Sequence, residues 1–399
     1  MKSSLPSTIR AMNKSLVLNV VRQEGPISRA QIAKRTNITR ATVSDIVNDL
    51  IQEGAIFEEG EDNSSVGRKG ILLKYNAALG FGVGVDIGGT KIGLALFDVN
   101  AELLARKRIA TYQVDSNEEF IELLVASIKR FIAEHGRELS ALQVVGISTP
   151  GIVDYKKGIV VEGSPNLPGW ENLELSAQIS ERMGVPAVLE NDVRAALIGE
   201  VWKGQLQDVQ SAILVAVGTG IGSALLMDGN IIRGFGNAAG EIGYMMFEKD
   251  HLYREWRNKG CFESLASGSG LASRRAELPV DREGGLPLTA EEIFRTAREG
   301  DPESRRLVEE YIDYLAIAIL NMIAVVNPEK VLLMGGLSNS SDDYLELLNE
   351  KINKHTFSRT QVRVTVSEMK ELAPLYGIAI LALGEVQPTV RFLKDIKLV

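Results

Sequence analysis

The N-terminal segment of the chain places its aliphatic residues at helical spacing. This period predicts a first helix from Met12 to Gln23, which Gly25-Pro26 ends. A short second helix follows Ser28, which stands where an N-cap is expected, and Thr39 caps a third helix that runs to about Glu53. The apolar residues that recur at helical spacing in the first helix are Leu16, Val17, Val20 and Val21, and those predicted to form the inward face of the third are Val43, Ile46, Val47 and Leu50.

The second and third of these helices match a helix-turn-helix, in which the later helix, here the third, enters the major groove of DNA. Strands predicted at Ala55–Phe57 and Ile71–Leu73 flank a basic loop, which fits a wing that reaches phosphates or a narrow minor groove. The alternative is a small helical packing domain with a solvated run of charges. The residues predicted to contact DNA are Ser28, Arg29, Thr39, Arg40, Thr42, Ser44, Asn48, Arg68 and Lys69.

Charge separates a basic head from an acidic body. Residues 1–75 contain eleven Lys and Arg against eight Asp and Glu, so the head carries +3 and the rest carries −11 of the total of −8. Only the head is therefore expected to meet phosphate in DNA. The single cysteine excludes an internal disulfide, and we find no apolar run of transmembrane length and no signal peptide. These features predict a cytoplasmic protein without a membrane partner.

The remainder of the chain repeats one motif, a hydrophobic strand that ends in a glycine turn. After a linker at residues 76–80, strands alternate with amphipathic helices, which predicts an α/β body. Glycine turns let phosphate approach backbone N–H groups, and an aspartate there can hold Mg²⁺ through water. One such turn is usually only a tight hairpin, so the prediction of a nucleotide site depends on the recurrence. The predicted nucleotide residues are Asp86, Gly88, Gly89, Thr90, Lys91, Gly218, Thr219, Gly220, Gly335 and Gly336.

A strand that ends in Asn191-Asp192 and continues into a helix places two polar side chains at a cleft. An aspartate there can take the proton from a sugar hydroxyl as that hydroxyl attacks phosphate. The pair fits equally well an N-cap that merely starts the helix, and spacing alone does not choose between these readings. Carboxylates, an amide and a phenol in other segments suit a sugar pocket when taken as a set. The predicted sugar-binding residues are Asn166, Asn191, Asp192, Glu241, Tyr244 and Glu263.

Several segments together resemble the ROK family of repressors, open reading frames and kinases, over nearly the whole chain. They are Thr39-Arg-Ala-Thr-Val-Ser44, Asp86-Ile-Gly-Gly-Thr-Lys91, Ser148-Thr-Pro-Gly151, Glu190-Asn-Asp192, Gly218-Thr-Gly-Ile-Gly222 and Ala239-Gly-Glu-Ile-Gly243. The resemblance implies a xylose-repressor-type winged helix-turn-helix at residues 1–75, joined to an actin-like body of duplicated ribonuclease-H-like lobes at 81–197 and 198–399. It also implies that sugar and Mg-ATP bind between the lobes, with Asp192 as the catalytic base.

One departure concerns the zinc site of that family. Tyr244 occupies the position of a family histidine, and Arg254 and Trp256 stand where two cysteines belong, so Cys261 is the one cysteine that remains. Because a tetrahedral zinc needs four ligands, we predict no structural zinc, and apart from the Mg²⁺ of Mg-ATP we assign no metal-ligating residue. Tyr244 also reaches differently from histidine, which we expect to alter the choice of sugar or to weaken phosphoryl transfer.

Two functions follow from these features. The head favours a sugar-responsive transcriptional repressor, because a metabolic kinase does not need one. The intact glycine turns and Asp192 favour the alternative, an ATP-dependent sugar kinase with an attached DNA-binding head. A repressor of this kind is expected to form a homodimer or homotetramer, since two heads must span half-sites about 34 Å apart.

Overall fold

The computed structural model describes residues 6–61, 70–76, 80–163, 167, 169–256, 259–277, 288–357 and 362–386. The head comprises α1 (Pro6–Glu24), β1 (Ile27–Ser28), α2 (Arg29–Thr36), α3 (Arg40–Gln52), β2 (Ile56–Glu61) and β3 (Ile71–Tyr75). Strand β3 lies between β1 and β2 and pairs antiparallel with both. The predicted winged helix-turn-helix is confirmed. The predicted wing residues Arg68 and Lys69 lie outside the described residues.

Local sequence explains where the head helices begin. The Thr39 side chain accepts a hydrogen bond from the Thr42 N–H and so caps α3, as predicted. Helix α1 begins at Pro6, earlier than the predicted Met12, because the intervening residues lack an aliphatic repeat that would signal a helix. Val17, Leu18 and Val21 of α1 are buried together with the inward face of α3 and with Ile27 and Leu73, which forms the core of the head. Of the other apolar residues of α1, Val20 is partly buried and Leu16 is 43% exposed.

The first lobe of the body follows the head. Its elements are β4 (Phe81–Ile87), β5 (Lys91–Asp98), β6 (Leu103–Ala110), α4 (Asn117–Glu134), β7 (Leu142–Thr149), β8 (Ile152–Asp154), β9 (Ile159–Glu162), β10 (Glu171–Leu173), α5 (Leu175–Met183), β11 (Ala187–Asn191) and α6 (Asp192–Lys203). The main sheet has the order β11-β7-β4-β5-β6, in which β4, β5 and β6 are antiparallel and β7 and β11 run parallel to β4. A small antiparallel sheet, β10-β9-β8, lies beside it.

The second lobe repeats this topology. Its elements are β12 (Ala212–Val217), β13 (Ile221–Met227), β14 (Asn230–Ile232), α7 (Cys261–Ala266), α8 (Gly268–Ala276), α9 (Ala290–Glu299), α10 (Pro302–Val326), β15 (Lys330–Met334), α11 (Leu345–His355), β16 (Val364–Val366) and α12 (Leu372–Val386). Its sheet has the order β14-β13-β12-β15-β16, again three antiparallel strands followed by two parallel ones. The two lobes are thus copies of one unit, and the predicted duplicated actin-like fold is confirmed.

Helices α6 and α12 cross at very short range between the two sheets. A Cβ added to Gly377 would lie 1.7 Å from the carbonyl oxygen of Ala195, and one added to Gly199 would lie 2.0 Å from that of Ala373. Only glycine permits backbones to approach this closely. Helix α12 also packs on β4 and β7, so the C-terminal segment returns to the first lobe.

The head rests directly on the body. The buried cluster that contains the head core continues to Ala101, in the turn between β5 and β6, and on to α6. Arg22 of α1 is mostly buried near Tyr75 and Asp98; burial lowers the pKa of its guanidinium, and these two neighbours raise it. Among the described residues, no helix has both the length and the apolar character needed to cross a membrane.

Candidate ligand-binding cleft and DNA-binding surface

A cavity of about 1320 Å³ opens between the two lobes. All three predicted glycine turns reach it, at Gly88-Gly89, Gly218–Gly220 and Gly335-Gly336. Asp86, Lys91, Asn191, Asp192, Glu241, Tyr244 and Glu263 line the same cavity. Thr90 is exposed and is not part of the lining, and Asn166 lies outside the described residues. The fold therefore brings together most of the residues that sequence motifs single out.

Asp86 is the carboxylate at the end of β4, where the first glycine turn begins. The hydroxyl of Ser148 donates to Asp86 Oδ1 over 2.7 Å. Burial, together with the nearby Asp192 carboxylate, raises the pKa of Asp86 to about 7, and the hydrogen bond from Ser148 partly opposes this rise. A buried carboxylate whose charge is disfavoured by a second carboxylate is stabilised in its charged form by a nearby cation.

Asn191 takes the capping role that the sequence left open between Asn191 and Asp192. Asn191 Oδ1 accepts from the N–H groups of Val193 and Arg194 and caps α6, and its Nδ2 donates to Gly151 O. Asp192 is the first helical residue, and its carboxylate faces the cavity. Burial raises the pKa of Asp192, which the Val193 N–H and the Arg194 guanidinium partly offset. A carboxylate of raised pKa at this point is suited to accept a proton.

The second lobe supplies the opposite wall of the cleft. Glu263 Oε2 accepts from the Ile221 N–H over 3.0 Å, so this carboxylate is tied to the strand that follows the second glycine turn. Burial raises the pKa of Glu241, and the Asp192 carboxylate raises it further. The Tyr244 side chain is 57% exposed at the cavity. Sequence motifs did not single out Glu162 or Lys259, which also line it.

A fully buried charge network lies behind Asp192 and joins the lobes. Glu190 accepts from Arg194 Nε at 2.8 Å and from Arg233 Nε and Nη2 at 3.0 and 2.8 Å. Arg194 Nη1 also donates to Asn237 O, and the Arg233 guanidinium stacks 3.9 Å from the centre of the Tyr155 ring. Glu190 belongs to the first lobe and Arg233 to the second. This contact between strands distant in sequence leaves no local signal, and sequence reasoning missed it.

The residues at the glycine turns fit Mg-ATP, which the family resemblance implies. A Cβ on Gly335 would lie 2.4 Å from Val217 O, so this position has no room for a side chain. A Cβ on Gly336 would meet no atom within 4 Å, so the backbone there is open to a ligand. Asp86 and Asp192 form the paired carboxylates that a hydrated Mg²⁺ prefers. Gly88, Gly218 and Gly336 would hold the phosphates. Mg-ATP would supply a transferable phosphoryl group.

The segment that aligns with the family zinc site contains a different contact. Cys261 Sγ lies 3.1 Å from His251 Nδ1, which also accepts from the N–H groups of Phe247 and Glu248. Burial raises the pKa of the Cys261 thiol to about 11, so the thiol keeps its proton. Among the described residues, no three His, Cys, Asp or Glu side chains cluster as metal ligands. The absence of zinc stays a prediction that metal analysis can test.

The outer face of α3 forms the candidate DNA-binding surface. Thr39, Arg40 and Asn48 are exposed there, and Thr42 and Ser44 are half-buried beside them. Arg29 reaches Asn48 Oδ1 at 3.4 Å and Glu58 at 3.3 Å, which places it between α3 and the wing.

Ser28 does not belong to that exposed surface. It is 5% exposed, and both its N–H and its hydroxyl donate to Gln31 Oε1. The predicted DNA contact of Ser28 is therefore corrected to the positioning of α2, because its polar atoms are already used in the capping arrangement.

Fold and cleft together define a class of protein, a two-lobed body of the sugar-kinase type joined to a winged helix-turn-helix head. The profile of the ROK family matches residues 82–385, and a profile described as winged helix-turn-helix DNA-binding matches residues 13–56. The chain therefore belongs to the ROK family.

Both regulators and kinases are similar to this chain. A putative xylose repressor of Caldicellulosiruptor sp. (strain Rt8B.4) is 29% identical over 387 residues, which cover 94% of this chain and 96% of that protein. The crystal structure of a ROK hexokinase from Thermus thermophilus is 30% identical, with a TM-score of 0.65 over 77% of this chain and 99% of its own. A ROK family transcriptional regulator, a homolog of the E. coli MLC protein, superposes with a TM-score of 0.78 over 96% and 98% of the two chains. At 24% identity this last match supports the fold alone.

Proposed function

We propose that this chain is a sugar-responsive transcriptional repressor, which binds operator DNA through α3 and a sugar in the interlobe cleft. The observation that carries this proposal is the presence of both sites on one chain: a polar, partly basic recognition helix and a cleft lined by carboxylates. A kinase needs only the second site. The similar xylose repressor, which covers nearly the full chain, supports the same assignment.

The contact between head and body supports a route from sugar to DNA. A ligand that closes the cleft changes the relation of the lobes, which Glu190 and Arg233 join across the buried network. The head packs on the turn between β5 and β6 of the first lobe through Ala101 and the Arg22 region. Sugar changes the affinity for operator DNA if it binds more tightly to one of two arrangements of the heads in an oligomer.

A second function, ATP-dependent sugar kinase, is favoured by one specific observation. Asp192 lines the same cavity as Asp86 and the three glycine turns, and the pKa of its carboxylate is raised by burial. In that role Asp192 takes the proton of the sugar hydroxyl, and Asn191, Glu241, Tyr244 and Glu263 orient the sugar. Similarity to a hexokinase fits this candidate as well.

Calorimetric titration separates the two functions. The purified full chain is titrated with xylose, glucose and N-acetylglucosamine, with and without Mg-ATP, and each sugar that binds is added to an assay of DNA binding on the chain's own promoter region. We expect a sugar that binds without ATP and changes operator affinity at least ten-fold. ADP release with unmoved DNA affinity would instead assign a kinase.

The Asp192→Asn variant is the matched control, because it removes the proton acceptor while keeping nearly the same shape. If the response of DNA binding to sugar persists in this variant, the sugar itself is the signal. If the response is lost together with ADP release, a phosphorylated sugar is the signal.

A further inference from the structure

The centre of the exposed face of α3 contains residues of which the sequence motifs singled out only Asn48. An α-helix turns by about 100° per residue, so the buried residues define which positions lie opposite them. The buried stripe of α3 consists of Val43, Ile46, Val47 and Leu50. The positions opposite this stripe are Ala41, Asp45, Asn48 and Gln52, and all four are exposed. Asp45 is the only charged residue of these four, in the middle of the face that a helix-turn-helix presents to the major groove.

The other carboxylates around α3 are already bonded to cations of the head. The pairs are Arg10–Asp49, Lys14–Glu53 and Arg29–Glu58, at 2.6, 2.5 and 3.3 Å. Among the described residues, no Lys or Arg forms an ion pair with Asp45. The charge of Asp45 also acts on Arg10, but more weakly than that of Asp49, to which Arg10 is bonded. The Asp45 carboxylate is therefore open to a hydrogen-bond donor on a bound molecule.

The major groove offers few donors to a carboxylate. Phosphate oxygens repel it, and so do the acceptors that guanine presents at N7 and O6 and thymine at O4. The amino group of adenine donates, but the acceptor N7 lies beside it. Cytosine presents its N4 amino group as a donor without an acceptor of its own, and a carboxylate accepts from this group. A carboxylate in the groove therefore favours cytosine and disfavours the other bases.

We infer that Asp45 is a specificity-determining residue of the DNA-binding surface, and that it selects a cytosine in each operator half-site. Ala41 lies one turn earlier on the same face, and its small side chain lets the helix approach the bases closely enough for the short Asp45 side chain to reach them. The inference rests on the proposed function, because it names a base that the operator-binding helix reads.

The test begins with the DNA that the full chain prefers. Selection from a pool of random duplexes, without sugar, yields the preferred half-site. Fluorescence anisotropy then measures the affinity for that duplex and for duplexes in which each C·G pair of the half-sites is replaced in turn by T·A. We expect a cytosine position at which this replacement weakens binding by about ten-fold or more, as a lost base contact does.

The Asp45→Asn variant assigns this position to one side chain. An amide both donates and accepts, so it tolerates N4 of cytosine and O4 of thymine alike. In the variant the same replacement should weaken binding by less than about three-fold, below the usual effect of one mismatched base pair. Affinity for a duplex of unrelated sequence should not fall, which excludes misfolding as the cause.

The matched control is Glu53→Gln, in the residue that closes the same helix. Glu53 is bonded to Lys14 and lies off the exposed stripe that contains Asp45. Both variants remove one negative charge, so a general gain in affinity for DNA should occur in both. The discrimination between cytosine and thymine should change only in Asp45→Asn.

The outcomes separate this inference from the proposed function. If the preferred sequence contains no cytosine whose recognition depends on Asp45, the inference is overturned and the repressor function stands. An equal loss of discrimination in Glu53→Gln also overturns it, because the removal of charge alone would then explain the change. If the chain selects no sequence from the random duplexes, operator binding through α3 fails, and the proposed function fails with it.

Discussion

The substitution Glu190→Gln tests whether the buried network holds the two lobes together. Glu190 has no exposed surface and accepts from Arg194 Nε, from two nitrogens of Arg233 and from the Asn191 N–H, each at 2.8 to 3.0 Å. An amide keeps the shape but removes the charge, so two buried guanidinium groups lose their counter-ion. Breaking a buried ion pair in this way costs about 3 to 5 kcal/mol. We expect a loss of stability in that range.

Urea titration followed by tryptophan fluorescence measures this loss, because all three tryptophans belong to the body. Glu102→Gln is the control, since the Glu102–Lys203 pair is 59% and 40% exposed and its loss should cost less than about 1 kcal/mol. A Glu190→Gln effect as small as that of the control would refute the reasoning. It would show that the network is not the contact that fixes Asp192 and its helix between the lobes.

Three further changes follow from the geometry of single residues. The folded chain keeps a proton on Asp86 up to about pH 7, whereas the unfolded chain has already released it, so the free energy of unfolding falls as pH rises toward 7. Asp86→Asn should remove this fall, which free energies of unfolding at pH 5 and pH 8 measure. The same pH dependence in the variant as in the original chain would contradict the prediction. Gly377→Ala should destabilise the body by about 3 kcal/mol or more, since its Cβ would overlap Ala195 O. Gly236→Ala is the control, because a Cβ there meets open space. Equal unfolding midpoints for the two variants would contradict the assigned overlap. Arg40→Ala should weaken operator binding at least ten-fold and lower the salt dependence by about one phosphate contact; fluorescence anisotropy at several salt concentrations measures both, and unchanged affinity would remove Arg40 from the DNA surface.

Local signals predicted the head and the repeated body. Thr39 is a capping residue with a helical pattern behind it, and α3 begins where that combination indicates. The glycine turns at Gly88 and Gly218 follow apolar segments, and these segments form the equivalent central strands β4 and β12. Strand β1 was not predicted, because its two residues are too few for any alternation and are defined only by pairing with β3.

The site was predictable only where a motif carried it. Asn191 and Asp192 were recognised, but which of them caps the helix depended on backbone geometry that spacing does not contain. Glu162 and the partners of Glu190 were missed for a physical reason. Glu162 lines a cavity between the lobes, and Arg233, one partner of Glu190, comes from the opposite lobe, so no periodicity in the sequence relates these residues. Glu162 is exposed at the end of β9, and only the presence of the second lobe opposite makes it part of a cavity lining.

The position of the head on the body determines what sugar binding can do. The head packs against the body, since its core is continuous with Ala101 and Arg22 of α1 is mostly buried near Asp98. Asp98 Oδ1 also accepts from the N–H groups of Asn100 and Glu102, so it fixes the turn on which the head rests. The same β5–β6 hairpin extends to the cleft, where Lys91 lines the cavity. A change in lobe arrangement that moves this hairpin therefore moves the head with it, which is the mechanical requirement for a ligand in the cleft to alter the spacing of two DNA-binding helices.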